Sequence, residues 1–235
     1  MPDPYFYFAS LAKQVDEFVL DENSSRHIVQ VLRMKTGESI RLTDGKGLSA
    51  QATIRDSNKK RCVVNVTEKQ IQQAPARRVR IALSLLKNAS RFEWFLEKAS
   101  ELGIDEIIPL KCVRTEKQQF RADRMRSILE SALIQSQQVW MPVLQEPQFF
   151  ASFIEQVQAD QKFIAHCEPG VKGKLSEMFN QHLSSVLILI GPEGDFTEEE
   201  ISLAMKGGFI SAALGENRLR SETAAIAAAA VLKLI

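Results

Sequence analysis

Cysteine and histidine are scarce, at three residues each in a chain of 235. Cys62, Cys112 and Cys167 lie far apart without metal-ligand spacing, which argues against a disulfide framework and fits a reducing, cytoplasmic setting. His27, His166 and His182 are equally scattered and no H-E-x-x-H occurs, so no metal site is expected. No apolar run approaches the roughly 20 residues of a membrane span, and no charged-then-apolar leader opens the chain. The familiar nucleotide signatures are missing too. No G-x-G-x-x-G follows a strand, Gly173-Lys174 lacks the other residues of a phosphate loop, and there is no G-x-S-x-G elbow. Any ligand must be held by another device.

What is present is ordinary globular usage, 45% hydrophobic and 25% charged, in a length comfortable for two domains. The net charge of +1 conceals a segregation: Asn23 to Gln70 carries ten Lys and Arg against four Asp and Glu. Its cations include Arg26, Arg33, Lys46, Lys59, Lys60 and Arg61, interleaved with short β-type runs, a pattern that suits contact with a phosphate backbone. A short helix is expected over about 25–33, then strands at 39–43, 48–55 and 61–67, with Asp44-Gly45 and Asp56-Ser57-Asn58 as turns. This reads as a small β-barrel. Gln70 to Arg78 has neither period and reads as a linker.

From Val79 the texture alternates between strands and helices. Strands are expected near 79–86, 106–110 and 162–166, with helices at 92–102, 123–138, 149–159 and 174–182. Such alternation argues for a mostly parallel sheet covered by helices. Two final units share one grammar of strand, polar loop and helix. Val186 to Ile190 runs into Gly191-Pro192-Glu193-Gly194-Asp195-Phe196, with Thr197 and Glu200 as a capping box and Gly207-Gly208 as the stop. Phe209 to Leu214 runs into Gly215 to Arg220, with Ser221 as the expected N-cap of an alanine-rich helix. Ligands of open α/β sheets sit outside the carboxyl ends of the strands, which singles out these two loops.

With Gly191-Pro192-Glu193-Gly194 after a buried strand, and Leu214-Gly215 leading through Arg218-Leu219-Arg220 to Glu222-Thr223-Ala224, the chain resembles the trefoil-knotted SPOUT methyltransferases. More closely, it resembles the bacterial 16S ribosomal RNA uracil-N3 methyltransferase family. Arg26 to Arg33 and Asp44-Gly45-Lys46-Gly47 resemble that family's N-terminal PUA-like domain, and Glu97 to Gly103 with Gln135-Ser136 its central segments. The family often has a second glycine where Asp195 stands, and often Arg-Ser at Lys117-Gln118. The resemblance implies a PUA-like RNA-binding β-barrel over 1–72 and a SPOUT domain over 75–235, an α/β unit whose mostly parallel sheet carries a trefoil knot. It also implies a homodimer, S-adenosylmethionine as methyl donor, and N3 of a uridine in the small-subunit RNA as target. Cofactor contacts are implied from His166, Ile190, Gly191, Pro192, Glu193, Gly194, Leu214, Gly215, Asn217, Leu219, Thr223 and Ala224.

The chemistry asks for alignment of the uracil nitrogen behind the activated methyl and for removal of the N3 proton. Negative charge then spreads to the two flanking carbonyl oxygens, where a guanidinium stabilises it. Arg220 is the first candidate, Arg218 the alternate or a phosphate clamp, and Glu222 a residue that could orient the arginine. A Cβ at Gly194 is expected to push the ligand away from the backbone, and Glu193 is read as a brace for the loop. Two other classes remain open on the residues alone: an RNA-binding protein without catalysis, and a phosphate-transferring α/β enzyme, which should show a metal-binding carboxylate cluster.

Overall fold

The structure is a computed structural model that describes residues 3–13, 16–116 and 119–235. Lys117-Gln118 therefore lies outside the described residues. The chain forms two units, one of residues 1–74 with 133–141, the other of residues 75–132 with 142–235.

The first unit is a five-stranded sheet in the order β1-β3-β4-β5-β2, from β1 (Tyr5–Tyr7), β2 (Glu17–Val19), β3 (Ser39–Thr43), β4 (Leu48–Asp56) and β5 (Val63–Ile71). All neighbours are antiparallel except β1 and β3. Alternate residues of β4, Ala50, Ala52 and Ile54, point into a core with Leu11, Ile28, Ile40, Leu42 and Val64. The helix expected over 25–33 is α1 (Glu22–Arg26), capped by Asp21, running into one wide turn over His27–Val31. The β3–β4 turn closes under Trp140. A Cβ at Gly47, whose φ is +95°, would collide with the indole, so only glycine fits.

The second unit is an eight-stranded parallel sheet in the order β11-β13-β10-β12-β6-β7-β8, with β9 also on β7. Its strands and helices follow the chain as β6 (Arg78–Ser84), α2 (Ala89–Glu101), β7 (Glu106–Lys111), α3 (Ala122–Ser136), β8 (Val143–Leu144), β9 (Gln148–Phe149), α4 (Phe150–Gln156), β10 (Gln161–Ala165), β11 (Gly173–Lys174), α5 (Leu175–Met178), β12 (Ser185–Ile190), α6 (Glu198–Lys206), β13 (Ile210–Ala213) and α7 (Ser221–Leu234). β12 lies between β10 and β6, and Val186 to Ile190 are all at most 2% exposed, as a strand covered on both faces requires. Leu187 and Leu189 join Phe150, Phe153, Ile154 and Ala204 from α4 and α6. α7 packs on β6, β12 and α2.

Several expected boundaries move, among them the linker over 70–78, which gives Gln70 and Ile71 to β5 and Arg78 to β6, and three of the shifts have a visible cause. The helix expected over 174–182 is the short α5, because the Asn180 side chain takes the His182 amide and Phe179 is extended. The helix expected over 149–159 starts one residue later, since Phe149 pairs with Lys111, and ends at the extended Val157. Ser221 is the first residue of α7 and not its cap; Arg220 holds that position, with no side-chain cap bond.

One crossing positions everything that follows. β13 lies on the far side of β10 from β12, whereas α7 packs on β12 and β6. Residues 214–220 therefore pass over the carboxyl ends of β10 and β12. A knotted path of the kind the resemblance implies requires this crossing.

Candidate functional site

The carboxyl ends of β12, β10 and β13 surround a cavity of about 860 Å³. β12 delivers the loop from Gly191, β10 delivers His166 and Cys167, and β13 delivers the loop from Leu214. The first loop is tied at every step. The Glu193 carboxylate accepts from the Lys87 amide at 3.0 Å, and the Arg114 guanidinium donates to the Gly194 and Phe196 carbonyls at 2.7 and 3.2 Å. Phe196 is fully buried, and a Cβ at Gly191 would lie 3.2 Å from its ring, a tight contact that the ring could relieve only by shifting. The loop ends in the expected capping box, where Thr197 and Glu200 satisfy each other's amides and Glu200 also accepts from Val113.

Asp195 is in the left-handed region, with a φ of +63°. The left-handed conformation costs a non-glycine residue on the order of 1 kcal/mol, least for Asn and Asp. The carboxylate offsets this by accepting from the Cys167 amide at 2.6 Å and from Phe196 at 2.8 Å, which ties β10's end to the loop.

The second loop is different. Gly215, Glu216, Asn217, Arg218 and Arg220 are exposed, and a Cβ at Gly215 would meet nothing within 4 Å. Among the described residues no hydrogen bond or ion pair holds the Arg218 or Arg220 side chain. Both residues line the cavity.

His166 sits between the loops. Its Nε2 meets the Ser211 hydroxyl at 2.8 Å, while Nδ1 is buried with no partner. Burial, followed by the nearby Lys172 ammonium, pushes the imidazole below its ordinary value, so it is neutral at neutral pH. The Lys172 ammonium itself is held by the His166 and Glu168 carbonyls. Burial first, then the Asp195 carboxylate, pushes the exposed Cys167 thiol up, and burial pushes Cys112 up to about 12.

Of the residues singled out above, His166, Ile190, Gly191, Pro192, Glu193, Leu214, Gly215, Asn217, Leu219, Ala224, Arg218 and Arg220 line this one cavity. Gly194 does not. Its missing Cβ points at Arg114, 3.4 Å away and ordinary packing, so the expectation that a side chain there would displace a ligand is corrected. Thr223 and Glu222 line a second depression of about 590 Å³. The arginine paired with Glu222 is Arg91, with Nε 3.6 Å from Oε1, and not Arg220. Arg91 went unnoticed in the sequence. It follows β6 and the N-cap Asn88, the same strand, loop and helix grammar that marked the other two loops, and it lines both cavities.

The six cations Arg26, Arg33, Lys46, Lys59, Lys60 and Arg61 are all exposed, but they divide. Lys59 to Arg61 follow β4, and bonds from Cys62 to Ser25 and from Gly37 to Ile54 bring the segments of Arg26 and Arg33 to that end of the sheet. Lys46 precedes β4 and lies about 25–30 Å away along the strand.

A cavity of this size, with apolar walls from Ile190, Leu214, Leu219 and Ala224, a side-chain-free Gly215 and an unpartnered His166 nitrogen, fits a nucleoside-sized cofactor. Among the described residues no group of His, Cys, Asp and Glu could hold a metal ion, and no helix is long and apolar enough to cross a membrane.

Known proteins match along the whole chain. The RNA methyltransferase domain family matches residues 72–233, and the RNA methyltransferase PUA domain matches residues 20–67. The chain is 29% identical over 237 residues to ribosomal RNA small subunit methyltransferase E of Bacillus subtilis, covering 93% of this chain and 91% of that one. A probable rRNA-methyltransferase from Porphyromonas gingivalis superposes with a TM-score of 0.90 at 35% identity over 98% of each chain. Ribosomal RNA small subunit methyltransferase E from Neisseria gonorrhoeae, bound to S-adenosyl methionine, superposes with a TM-score of 0.86 at 26% identity over 99% of this chain and 97% of that one. The parallel sheet with its crossing C-terminal segment, the separate small sheet and these matches agree: the chain belongs to the RNA methyltransferase family.

Proposed function

We propose that this protein transfers the methyl group of S-adenosylmethionine to N3 of a uridine in the 16S RNA of the small ribosomal subunit, acting in the cytoplasm as a homodimer. The observation that carries the reading is the cavity framed by one braced loop and one open loop, with Arg218 and Arg220, which have no side-chain partner among the described residues, in its lining. The cofactor supplies an activated methyl on a sulfonium. Main chain around Gly191 and Gly215 reads its base, and Ile190, Leu214, Leu219 and Ala224 wall it. The neutral His166 adds no charge against the sulfonium.

Arg220 then meets the uracil carbonyl oxygens, where charge develops as the N3 proton leaves, and Arg218 holds a backbone phosphate. In the RNA-binding domain that the resemblance places over residues 1–72, the cluster of Arg26, Arg33 and Lys59 to Arg61 grips phosphates, while the second unit carries the chemistry. The test is nucleoside analysis of small-subunit particles after reaction. One 3-methyluridine per particle is expected. Methylation at another atom or of another nucleoside would replace this reading, and no methylation alongside RNA binding would favour a binding protein.

A further inference from the structure

Glu222 is 7% exposed, and its Oε2 has no hydrogen-bond partner among the described residues. Its other oxygen is 3.6 Å from Arg91 Nε, an ion pair too long for a hydrogen bond. A buried carboxylate oxygen without a donor is costly and calls for a ligand that brings one. The depression that Glu222 lines is bounded by Trp94, which is 42% exposed, and shares Arg91, Arg218, Leu219 and Arg220 with the cofactor cavity. A flat ring on the indole would sit next to a molecule in the larger cavity, separated by one stretch of backbone.

We propose that this depression is the uracil subsite and that Glu222 takes the N3 proton, an inference that deepens the N3-methylation reading above and rests on it. Uracil presents one N–H donor between two carbonyl acceptors. The depression presents one carboxylate acceptor together with the Arg220 guanidinium as donor, and an aromatic face for stacking. Cytosine, with a lone pair at N3, would face the carboxylate with nothing to donate there. In the reaction, Glu222 accepts the N3 proton, the freed N3 lone pair forms the bond to the methyl carbon, and the carbon–sulfur bond breaks with its electrons kept by sulfur. The products are the methylated base, a neutral thioether and a proton, which leaves Glu222 for solvent. Arg91 acts as a positioning residue, holding the carboxylate through its second oxygen.

Glu222→Gln keeps the shape and an acceptor but cannot take the proton. Like the wild type, the variant should bind S-adenosylhomocysteine and should prefer uridine monophosphate over its N3-methyl counterpart. Its turnover on small-subunit particles should fall on the order of a hundredfold or more. The residual rate should rise with pH as the imide ionises by itself. RNA transcribed with 5-fluorouridine, whose N3–H is more acidic, should recover much of the loss. A merely structural glutamate would move neither the pH profile nor the response to substrate acidity.

Turnover within a few fold of wild type, or a deficit indifferent to pH and to fluorination, would overturn the assignment. Should the glutamine variant fail to bind S-adenosylhomocysteine, Glu222→Asp keeps the carboxylate: slow turnover that fluorination restores supports the base, and equal rates on the two RNAs overturn it. If the wild type forms no 3-methyluridine, it is the N3-methylation reading that fails, before Glu222 is in question.

Discussion

The loops at 191–197 and 214–220 both leave the carboxyl end of a parallel strand and both feed a helix, yet only the first is tied down. Glu193, Asp195, Arg114 and the buried Phe196 each fix part of the first loop to a neighbouring element. The second has no such tie at Arg218 or Arg220 among the described residues, and open space beside Gly215. A rigid wall and a free wall suit a site that must first receive a cofactor and then close on a base. Order in one loop limits the entropy lost on binding, and freedom in the other lets a ligand set its shape.

The largest effect is expected in the free loop. Arg220→Ala should lower turnover on the order of a hundredfold or more, as loss of one charge-stabilising donor does. S-adenosylhomocysteine affinity should barely change, and Arg220→Lys should recover little, since an ammonium lacks the planar fork. Single-turnover methylation beside calorimetric titration separates the two quantities. Collapse of cofactor binding with turnover intact would move Arg220 from the reaction to the binding site.

Next comes the braced loop, where Gly191→Val forces branched carbons against the Phe196 ring. Overpacking of this kind costs about 1–3 kcal/mol, and the thermal midpoint should fall along with cofactor affinity. Gly215→Ala, with nothing near its Cβ, should leave the midpoint in place. An equal loss of stability in both variants would erase the distinction between the loops. Arg114→Met, which removes two donated bonds without touching the cavity, should weaken S-adenosylhomocysteine by about tenfold, equivalent to about 1.4 kcal/mol.

How far the sequence could take this account depends on how local each signal is. The strand at Ser39–Thr43 and the Thr197 and Glu200 capping box were legible because turn chemistry and capping act within a few residues. The apolar run of β12 and the two glycine-bearing loops were legible as a repeated pattern. The inclusion of 133–141 in the first unit was not, because it rests on contacts such as Tyr5 with the Gln138 carbonyl, 133 residues apart. Arg91 could not be placed beside Glu222 before the sheet order set β6 next to β12. Gly194 was misread for the same reason: sequence tells that a residue lacks a side chain, not which way the missing one would point. Lys46 and Lys59 are near in sequence but fall at opposite ends of β4, a separation that charge counting does not see.

The smallest expected effect is a pH dependence at the floor of the cavity. His166 has its imidazole pushed below the ordinary 6.5, mainly by burial, so the unfolded chain binds a proton that the folded one refuses. Stability should therefore be lost as the pH falls below about 6.5 and level off below the depressed folded value. His166→Gln should flatten that part of the profile. Thermal midpoints of both proteins between pH 7.5 and 5 check it, and an unchanged slope in the variant would mean that the imidazole titrates freely.

Hydrogen exchange on the two loops, with and without S-adenosylhomocysteine, measures the difference in order between them. The amides of Asp195, Phe196 and Thr197, which donate to the Pro192 carbonyl and to the Asp195 and Glu200 carboxylates, should be protected already in the free protein and change little, whereas those of residues 214–220 should exchange freely and gain strong protection when the ligand is added. Protection that appears first in 195–197, or no change at either loop despite measured binding, would contradict a cofactor held between a braced wall and a free one.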